Sequence, residues 1–273
     1  MPRIDSSSRV ADGASLADDV EVGPFCTIGP RVELHAGVRL LSHVNLSGVT
    51  MIGEHTVVHP FASLGSAPQS TGYRGGATRL TIGRNCQVRE GVTISTGTED
   101  HGGITTVGDR CFLMANSHVA HDCHVGDDVT FANGAVLGGH VSIANNAFIG
   151  GNTAVHQFVR VGEGAMLGGM SGITRDVIPF GFAFGPKAVL VGLNVVGLKR
   201  RKFSRTDLHR IRDAYQMLFF GEDTFAERLQ RTGTKFSDDP VVGKMVSFIR
   251  EGGKRPPMMP ALSGGSADSD AAP

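Results

Sequence analysis

The sequence lacks tryptophan and contains few aromatic residues of any kind. Its 273 residues include no Trp and 2 Tyr, and aromatic residues make up 6% of the chain. Glycine is abundant instead, at 38 residues. A core with so few large rings must be assembled from many small contacts, so an internal repeat is the first feature to look for.

The sequence also lacks net charge, long apolar segments and closely paired cysteines. Its 26 Lys and Arg balance 26 Asp and Glu, which argues against a nucleic-acid-binding protein. No apolar stretch approaches the roughly 20 residues of a membrane span. The first residues, MPRIDSSSRV, do not resemble a secretory signal. We therefore predict a cytoplasmic protein with no membrane span and no disulfide framework.

Aliphatic residues recur every six positions through most of the chain. One series covers positions 10–64 without a miss, fails at 70 and 76, and resumes in register over 82–94. A second series, shifted by one residue, covers 107–173, with Phe131 in place of an aliphatic residue at one position. A period of six fits neither a lone helix nor an isolated strand. It fits short strands joined by tight turns, each strand pointing one apolar side chain inward, and therefore predicts a parallel β-helix.

Small residues mark two further positions of the repeat. Glycine often follows the aliphatic residue, as at Gly23 and Gly108, and we attribute it to turns that need permissive backbone angles. Four positions after the aliphatic residue comes another small residue, which suits a narrow core. All four cysteines occupy that position, so we interpret them as buried hydrophobic residues rather than metal ligands or nucleophiles. They are Cys26, Cys86, Cys111 and Cys123.

The departures from the repeat predict the domain organisation. We predict a β-helix over residues 1–180, with projecting loops at 65–81 and 95–106 where the period is lost. Loops on a rigid scaffold are common places for binding residues.

The C-terminal part of the chain follows a different pattern. Ser204 and Asp207 form a capping signature, and apolar residues follow them at helical spacing. We therefore predict an α-helical cap over residues 181–252. The Pro-, Gly- and Ser-rich segment 253–273 is predicted to be a disordered tail.

Stacked turns of the predicted β-helix collect several histidines on one edge. Three six-residue sides would form a closed coil, so a residue 18 positions further along lies directly over its predecessor. Gly139 then lies over His121, and Gln157 over Gly139. Coils stack about 4.8 Å apart, so the edge is about 10 Å long. Its members are His118, His121, Gly139, His140, His156 and Gln157.

This edge admits three interpretations. A zinc site is disfavoured by the spacing of three between His118, His121 and His124, and we predict no metal. Histidines at solvated turns often have no role, so a non-catalytic scaffold remains an alternative. A neutral imidazole, however, can accept a proton from a hydroxyl. The backbone N–H of Gly139 could then stabilise the oxyanion that forms when the hydroxyl attacks a thioester, which is acyl transfer.

Five motifs resemble one family. They are SHVAHDCHVGD, LGGHV, GGNTAVHQFVRVG, GGMSGITRDVIPF and GLNVVGLKRRKFSR. Over residues 10–250 the chain resembles the acyl-carrier-protein–UDP-N-acetylglucosamine O-acyltransferase (LpxA) family. The resemblance implies a left-handed, triangular β-helix and a homotrimer with sites between subunits. It also implies transfer of an (R)-3-hydroxyacyl chain to the sugar 3-hydroxyl, the first step of lipid A synthesis. By the same resemblance, the acyl donor would be carried on the phosphopantetheine of acyl carrier protein, and the enzyme would need no cofactor of its own.

The same resemblance implies roles for individual residues. His121 would be the general base, Asp122 would orient it, and Gly139 would donate to the oxyanion. Residues that would bind the sugar nucleotide and the acyl group are His118, His140, His156, Gln157, Asn194 and Arg201. Gly169 matches a position that lines the acyl-chain pocket. We add Ser70 and the nearby Arg74 as substrate-binding residues and Lys187 at the far end of the acyl pocket, although the resemblance does not imply them. A basic run, which would also steer an acidic partner, would dock the carrier protein through Lys199, Arg200, Lys202 and Arg205.

Some positions depart from the family pattern. At two positions where the family commonly has an Asp and a Lys that bind the sugar, this chain has Ser70 and Gly72. Where the family often has a His and a Glu, it has Ser95 and Val196. We therefore expect a remodelled sugar site and keep N-acylation of the 3-amino sugar nucleotide as an alternative. A related N-acyltransferase carries a separate domain before its repeats, and coenzyme A-dependent acetyltransferases lack the long cap. Both are disfavoured.

Overall fold

The computed structural model describes residues 1–261, which form a long β-helix of short strands followed by four α-helices. The remaining part of the predicted tail, 262–273, lies outside the described residues. No helix within residues 1–261 is both long enough and apolar enough to cross a membrane.

Short strands follow one another along the β-helix. The first fourteen are β1 (Arg3–Ile4), β2 (Arg9–Val10), β3 (Ser15–Leu16), β4 (Glu21–Val22), β5 (Thr27–Ile28), β6 (Val32–Leu34), β7 (Arg39–Leu40), β8 (Asn45–Leu46), β9 (Val49–Ile52), β10 (Val57–Val58), β11 (Ser63–Ser66), β12 (Arg79–Ile82), β13 (Gln87–Val88) and β14 (Thr93–Ser95). A 3₁₀ helix, Glu99–His101, comes next. The others are β15 (Ile104–Val107), β16 (Phe112–Leu113), β17 (His118–Val119), β18 (His124–Val125), β19 (Thr130–Phe131), β20 (Val136–Leu137), β21 (Ser142–Ile143), β22 (Phe148–Ile149), β23 (Ala154–Val155), β24 (Arg160–Val161), β25 (Met166–Leu167), β26 (Gly172–Ile173), β27 (Gly181–Phe184) and β28 (Val189–Leu193).

The strands stack into three faces. Face A contains β1, β4, β7 and every third strand up to β25, then β27 and β28. Face B runs from β2 to β26 and face C from β3 to β24 in the same steps of three. Apart from β27 and β28, neighbours within a face pair in parallel, as Val119 does with Leu137 one coil on. We name each corner by the faces that it joins, so a B–C corner turn leads from a face B strand to a face C strand.

The six-residue repeat predicted the core correctly. Every aliphatic residue of both series from Val22 to Ile173 is at most 4% exposed. Val10 and Leu16 are half-buried, because they lie at the N-terminal end of the stack, where only one side of a coil is covered. The four cysteines are at most 1% exposed, as predicted. Burial raises the pKa of Cys123 to about 12, so its thiol is protonated at neutral pH and is not a nucleophile.

The glycines that follow the aliphatic positions have a different cause from the one predicted. Neither Gly23 nor Gly108 has a positive φ. A β-carbon added to Gly23 would lie 1.6 Å from the carbonyl oxygen of Leu41 on the next coil. The left-handed conformation belongs instead to turn residues such as Asp122, with φ 58°. Glycine is therefore required because neighbouring coils approach closely.

Both projecting loops are shorter than predicted. They span 67–78 between β11 and β12, and 96–103 between β14 and β15, rather than 65–81 and 95–106. The flanking strands are longer because they bury an additional side chain. Leu80 is 1% exposed and Thr105 is 0% exposed, and neither residue belongs to the aliphatic series.

We predicted an α-helical cap over residues 181–252, but the first part of this segment forms strands. β27 continues face A, and β28 folds back on it as an antiparallel partner. This hairpin covers the edge that the last parallel strand would otherwise expose. The helices begin only after it. They are α1 (Val195–Arg200), α2 (Arg205–Phe219), α3 (Phe225–Lys235) and α4 (Pro240–Glu251).

The predicted start of α2 is confirmed. The Ser204 side chain accepts from the Asp207 backbone N–H, and the Asp207 side chain accepts from the Ser204 backbone, which completes a capping box. The apolar positions that predicted this helix are all buried, namely Leu208, Ile211, Tyr215, Leu218 and Phe219.

Residues 253–259, which we call the C-terminal strap, are not disordered, so that part of the tail prediction is wrong. The strap returns from α4 to the β-helix, where Pro257 forms a bridge with Asp176. Met258 is 1% exposed, and its backbone N–H donates to the Asp176 carbonyl over 2.7 Å. Apolar burial and these backbone hydrogen bonds outweigh the polar composition of the segment.

Candidate active site at the B–C corner

The B–C corner carries both loops and the predicted histidine edge. In coil order it contains the loops 67–78 and 96–103, and then the turns of His121, Gly139 and Gln157. The turns stack in the predicted register, because His140 N donates to the His121 carbonyl over 3.0 Å. The next coil repeats the contact, with Phe158 N donating to the Gly139 carbonyl over 3.1 Å.

His121 and Asp122 form a hydrogen-bonded pair. The half-buried His121 ring places Nδ1 2.8 Å from Oδ2 of Asp122, which is 3% exposed. Because a carboxylate only accepts, His121 Nδ1 carries the proton and the neutral ring leaves Nε2 with a free lone pair. This is the arrangement that a histidine base requires.

A network of hydrogen bonds fixes the Asp122 carboxylate. Its Oδ1 accepts from Thr98 N over 2.9 Å and its Oδ2 from Thr98 Oγ1 over 2.6 Å, while Asp122 N donates to Thr105 Oγ1. Burial alone would raise the pKa of Asp122, but the hydrogen bonds from Thr98 and His121 outweigh it and hold that pKa below its ordinary value. Sequence reasoning missed Thr98 and Thr105, because both lie where the repeat is interrupted.

Gly139 lies directly against the His121 imidazole. A β-carbon at this position would fall 2.4 Å from His121 Cε1 and 2.6 Å from Nε2. Within residues 1–261, the N–H groups of Gly138 and His140 are taken by carbonyls of Val155 and His121, whereas the Gly139 N–H has no partner. The acceptor nitrogen of His121, Nε2, therefore lies beside the backbone N–H of Gly139.

His140 is the centre of an aromatic column. Its ring lies 4.4 Å from that of His101 and stacks at 4.5 Å on Phe158 with an interplanar angle of 3°. Lys254 Nζ lies 4.0 Å above the Phe158 ring. Burial lowers the pKa of His140, and the nearby Asp122 carboxylate only partly opposes this. Phe158 follows His140 by 18 positions, so the repeat contained this contact, whereas no sequence signal marked His101 or Lys254.

Three of these side chains have metal-ligating groups. Ligand atoms of His101, Asp122 and His140 all lie within 4.8 Å of one another. Both Asp122 oxygens already accept hydrogen bonds from Thr98, and Oδ2 also accepts from His121. A cation on Oδ2 would compete with the hydrogen bond that orients His121. The Asp122 carboxylate is therefore better suited to orienting His121 than to binding a metal ion.

The other predicted members of the edge surround this centre. His118 Nδ1 lies 2.7 Å from Thr93 Oγ1, and burial lowers the His118 pKa. His156 and Gln157 are exposed at the last turn. Arg255 of the C-terminal strap contacts both of them, which the sequence did not indicate.

Ser70 and Arg74 lie in the first loop, at the same corner. Ser70 is half-buried, and its hydroxyl accepts from Gly72 N. The side chain of Glu99, in the second loop, accepts from the backbone N–H groups of Arg74 and Gly76. Glu99 is adjacent to Thr98, so the first loop is connected to the Asp122 network through the second.

Asn194 and Arg201 lie at a different corner. Asn194 caps α1, because its Oδ1 accepts from Gly197 N and its Nδ2 donates to the Gly164 carbonyl. Gly164 belongs to a C–A corner turn, as does Glu163, which forms an ion pair with Arg201. Within one chain, these two residues are not brought to the B–C corner.

The predicted acyl-pocket residues occupy the third corner. Gly169 lies in the A–B turn between β25 and β26, and Lys187 lies at the tip of the β27–β28 hairpin. The two segments are in contact, since Gly185 N in the hairpin turn donates to Ser171 Oγ over 3.1 Å.

The predicted docking cations cluster where α1 leads into α2. Lys199 and Arg200 are in the last turn of α1, Lys202 follows it, and Arg205 begins α2. All four side chains are exposed, and among residues 1–261 none of them has an acidic partner within ion-pair distance. Arg201 differs from them, because it is turned inward to Glu163.

Comparisons with known families match two segments. A model described as UDP N-acetylglucosamine O-acyltransferase, domain 2, matches residues 176–258. The model of the bacterial transferase hexapeptide, with six repeats, matches residues 104–139.

The chain is similar over most of its length to known enzymes. The acyl-[acyl-carrier-protein]–UDP-N-acetylglucosamine O-acyltransferase of Azorhizobium caulinodans is 57% identical over 252 residues, which cover 92% of this chain and 93% of that protein. The enzyme of the same name from Rhizobium johnstonii is 45% identical over 247 residues, covering 90% and 91%.

Solved structures give the same result. The UDP-N-acetylglucosamine acyltransferase from Campylobacter jejuni has a TM-score of 0.89 and 35% identity, covering 94% of this chain and 99% of that chain. LpxA from Acinetobacter baumannii has a TM-score of 0.90 and 34% identity, covering 93% and 99%. The predicted fold class, a left-handed parallel β-helix with a helical cap, is confirmed.

Proposed function

The chain belongs to the acyl-[acyl-carrier-protein]–UDP-N-acetylglucosamine O-acyltransferase family, and on this premise we propose that it transfers an (R)-3-hydroxyacyl chain from acyl carrier protein to the 3-position of UDP-N-acetylglucosamine. This is the first step of lipid A biosynthesis. Membership of a family of enzymes argues against the non-catalytic scaffold.

The observation that carries the proposed mechanism is the 2.8 Å contact between His121 Nδ1 and Asp122 Oδ2, beside a Gly139 N–H that has no partner among the described residues. His121 Nε2 accepts the proton of the sugar 3-hydroxyl as the oxygen attacks the thioester carbon. The resulting oxyanion accepts a hydrogen bond from Gly139 N. The C–S bond then breaks, and the departing phosphopantetheine thiolate takes that proton from His121, which returns the ring to its neutral state. Asp122 stabilises the imidazolium between the two transfers.

We propose a homotrimer as the active form. The base lies at the B–C corner, the residues Asn194 and Arg201 at the C–A corner, and Gly169 at the A–B corner of one chain. One β-helix cannot bring three corners to one substrate. Three copies packed side by side place different corners of neighbouring chains together, which supports sites formed between subunits.

Arg201 is suited to receive an anionic ligand in such a site. Its Nη2 is bound to Glu163 and its Nη1 is buried without a hydrogen-bond partner within residues 1–261, but 25% of the side chain remains exposed to a ligand. Asn194 holds the start of α1 on the neighbouring turn. In this proposal Arg201 reaches the nucleotide, while Asn194 acts mainly by fixing the position of α1.

The exposed cations between α1 and α2 support docking of acyl carrier protein. Lys199, Arg200, Lys202 and Arg205 form a positive patch on a chain of zero net charge. Such a patch steers an acidic partner at long range. The acyl group arrives on the phosphopantetheine of that partner, so the proposal requires no further cofactor. The four free, buried thiols support a cytoplasmic location.

A competition assay tests this proposal. The protein is incubated with a mixture of (R)-3-hydroxyacyl carrier proteins and with two acceptors together, UDP-N-acetylglucosamine and its 3-amino analogue. The products are identified by mass spectrometry. We expect an O-acylated product of UDP-N-acetylglucosamine. Some N-acylated product is also expected, because Ser70 and Gly72 provide no charged side chain to bind the sugar. A site with fewer polar partners discriminates less between the hydroxyl and the amino sugar nucleotide. An absence of both products would contradict the proposal.

A further inference from the structure

The C-terminal strap places Arg255 on the last turn of the B–C corner. Arg255 Nη2 lies 2.8 Å from His156 Nδ1, and Arg255 Nε donates to the carbonyl oxygen of Gln157 over 3.2 Å. A guanidinium group has only donors. His156 Nδ1 must therefore accept a hydrogen bond from Arg255.

We propose that Arg255 is a positioning residue, which holds His156 in the tautomer with its proton on Nε2. A neutral imidazole has one donor and one acceptor nitrogen, so acceptance at Nδ1 leaves the proton on Nε2. His156 is exposed, and its Nε2–H can donate to an acceptor oxygen of a bound substrate, such as a phosphate or carbonyl oxygen. His121 has the opposite tautomer, because its Nδ1 donates to Asp122.

The local backbone offers His156 an alternative, which Arg255 removes. His156 Nδ1 also lies 3.2 Å from the Gln157 carbonyl oxygen, a bond that forms only when Nδ1 carries the proton. Arg255 opposes that state twice, since it occupies Nδ1 and also donates to the same carbonyl. Loss of the guanidinium group would free both atoms and favour the Nδ1–H tautomer.

The strap holds the Arg255 backbone in place. The carbonyl of Pro256 accepts from Asp176 N over 3.0 Å, and Met258 N donates to the Asp176 carbonyl. Pro256 and Pro257 restrict the backbone immediately after Arg255. On the other side of Arg255, a β-carbon at Gly253 would lie 2.6 Å from Arg160 Nε, so the chain passes close to the ion pair between Arg160 and the buried Asp176.

Tautomers can be measured without any substrate. The full-length protein is labelled with ¹⁵N-histidine, and long-range ¹H–¹⁵N correlations are recorded at pH 8, above the ordinary histidine pKa of about 6.5. His156→Ala identifies the signals of this ring. The variants are Arg255→Gln, which removes the guanidinium group, and Arg255→Lys, which keeps a cationic donor. Lys254→Met is the matched control, since it removes the neighbouring charge without touching His156.

We expect His156 to be protonated at Nε2 in the wild type, in Lys254→Met and largely in Arg255→Lys, and at Nδ1 in Arg255→Gln. A wild-type ring protonated at Nδ1, or an Arg255→Gln ring still protonated at Nε2, would overturn the assignment. Thermal unfolding shows whether each variant is folded.

The role of the donated hydrogen bond rests on the proposed function and is tested by kinetics. Arg255→Gln should lower kcat/KM roughly tenfold, about the effect of losing one hydrogen bond. Arg255→Lys should recover most of that loss. Unchanged kcat/KM in a variant with the switched tautomer would overturn the role of His156 as a donor. A wild type without any transferase activity would instead contradict the proposed function, while the tautomer result would still decide the role of Arg255.

Discussion

Gly139 and His121 lie so close that no side chain fits between them, since a β-carbon at position 139 would fall 2.6 Å from His121 Nε2. Gly139→Ala should therefore displace the imidazole from the position in which it accepts the sugar proton. We expect turnover to fall by about 10²-fold or more, as it does when a catalytic group is misplaced by about 1 Å. Steady-state kinetics would show this.

Gly243 provides a matched control for this substitution. It lies in α4, away from the histidine edge and the predicted acyl pocket, and a β-carbon there would meet no atom within 4 Å. Gly243→Ala should retain turnover. Equal activity of the two alanine variants would show that the close contact at Gly139 has no catalytic importance.

The basic patch should control the affinity for the carrier protein. Arg200→Glu combined with Lys202→Glu should raise the KM for acyl carrier protein about tenfold at low ionic strength, because two attractive charges become repulsive. The effect should shrink in high salt, since the Debye length falls to about 3 Å at 1 M. Kinetics at several salt concentrations measure both effects.

Arg9→Glu is the control for charge reversal, because Arg9 is exposed near the other end of the β-helix. It should leave the KM for the carrier unchanged. Arg201 is unsuitable for such a test, since its reversal would place a carboxylate beside Glu163. A double variant with the wild-type KM at low salt would exclude docking at this patch.

Gly169 should influence the length of the transferred acyl chain. A β-carbon at this position would lie 3.2 Å from the Gly151 carbonyl oxygen, so even alanine needs a small adjustment. Comparing Gly169→Met with Gly169→Ala therefore isolates the longer side chain. Methionine should shift the product profile to shorter chains, since each lost methylene costs roughly 0.8 kcal/mol of burial. The same product lengths in both variants would place the pocket elsewhere.

Two histidines should make stability depend on pH. Burial lowers the pKa of His118 and of His140 in the folded chain, whereas the unfolded value is about 6.5. The unfolded state then binds more protons, so the free energy of unfolding should fall as the pH drops below about 6.5. Urea denaturation at several pH values measures this. His118→Gln should make the fall shallower, and His124→Gln, which removes an exposed histidine, is the control.

The sequence predicted what the repeat encodes. An aliphatic residue in every strand determines the core, and the same period places Gly139 and Gln157 over His121, as the structure shows. The repeat could not predict that Thr98, His101 and Arg255 belong to the site. They reach it from a loop or from the C-terminal strap, where no periodic pattern relates sequence position to position in space.

Glycine shows a second limit of sequence reasoning. Its position in the repeat was correct, but its cause was not, because a sequence cannot distinguish a positive φ from close approach of two backbones. Only the 1.6 Å separation between a β-carbon at Gly23 and the Leu41 carbonyl oxygen reveals the second cause.

The most direct test of the account is the turnover of His121→Ala with (R)-3-hydroxyacyl carrier protein and UDP-N-acetylglucosamine. His121 is half-buried at a turn and contributes no side chain to the hydrophobic core. The variant should therefore unfold at nearly the same temperature as the wild type. Its turnover should fall by about 10²- to 10⁴-fold, the usual contribution of a positioned base. Near-wild-type turnover in a folded His121→Ala protein would contradict the account.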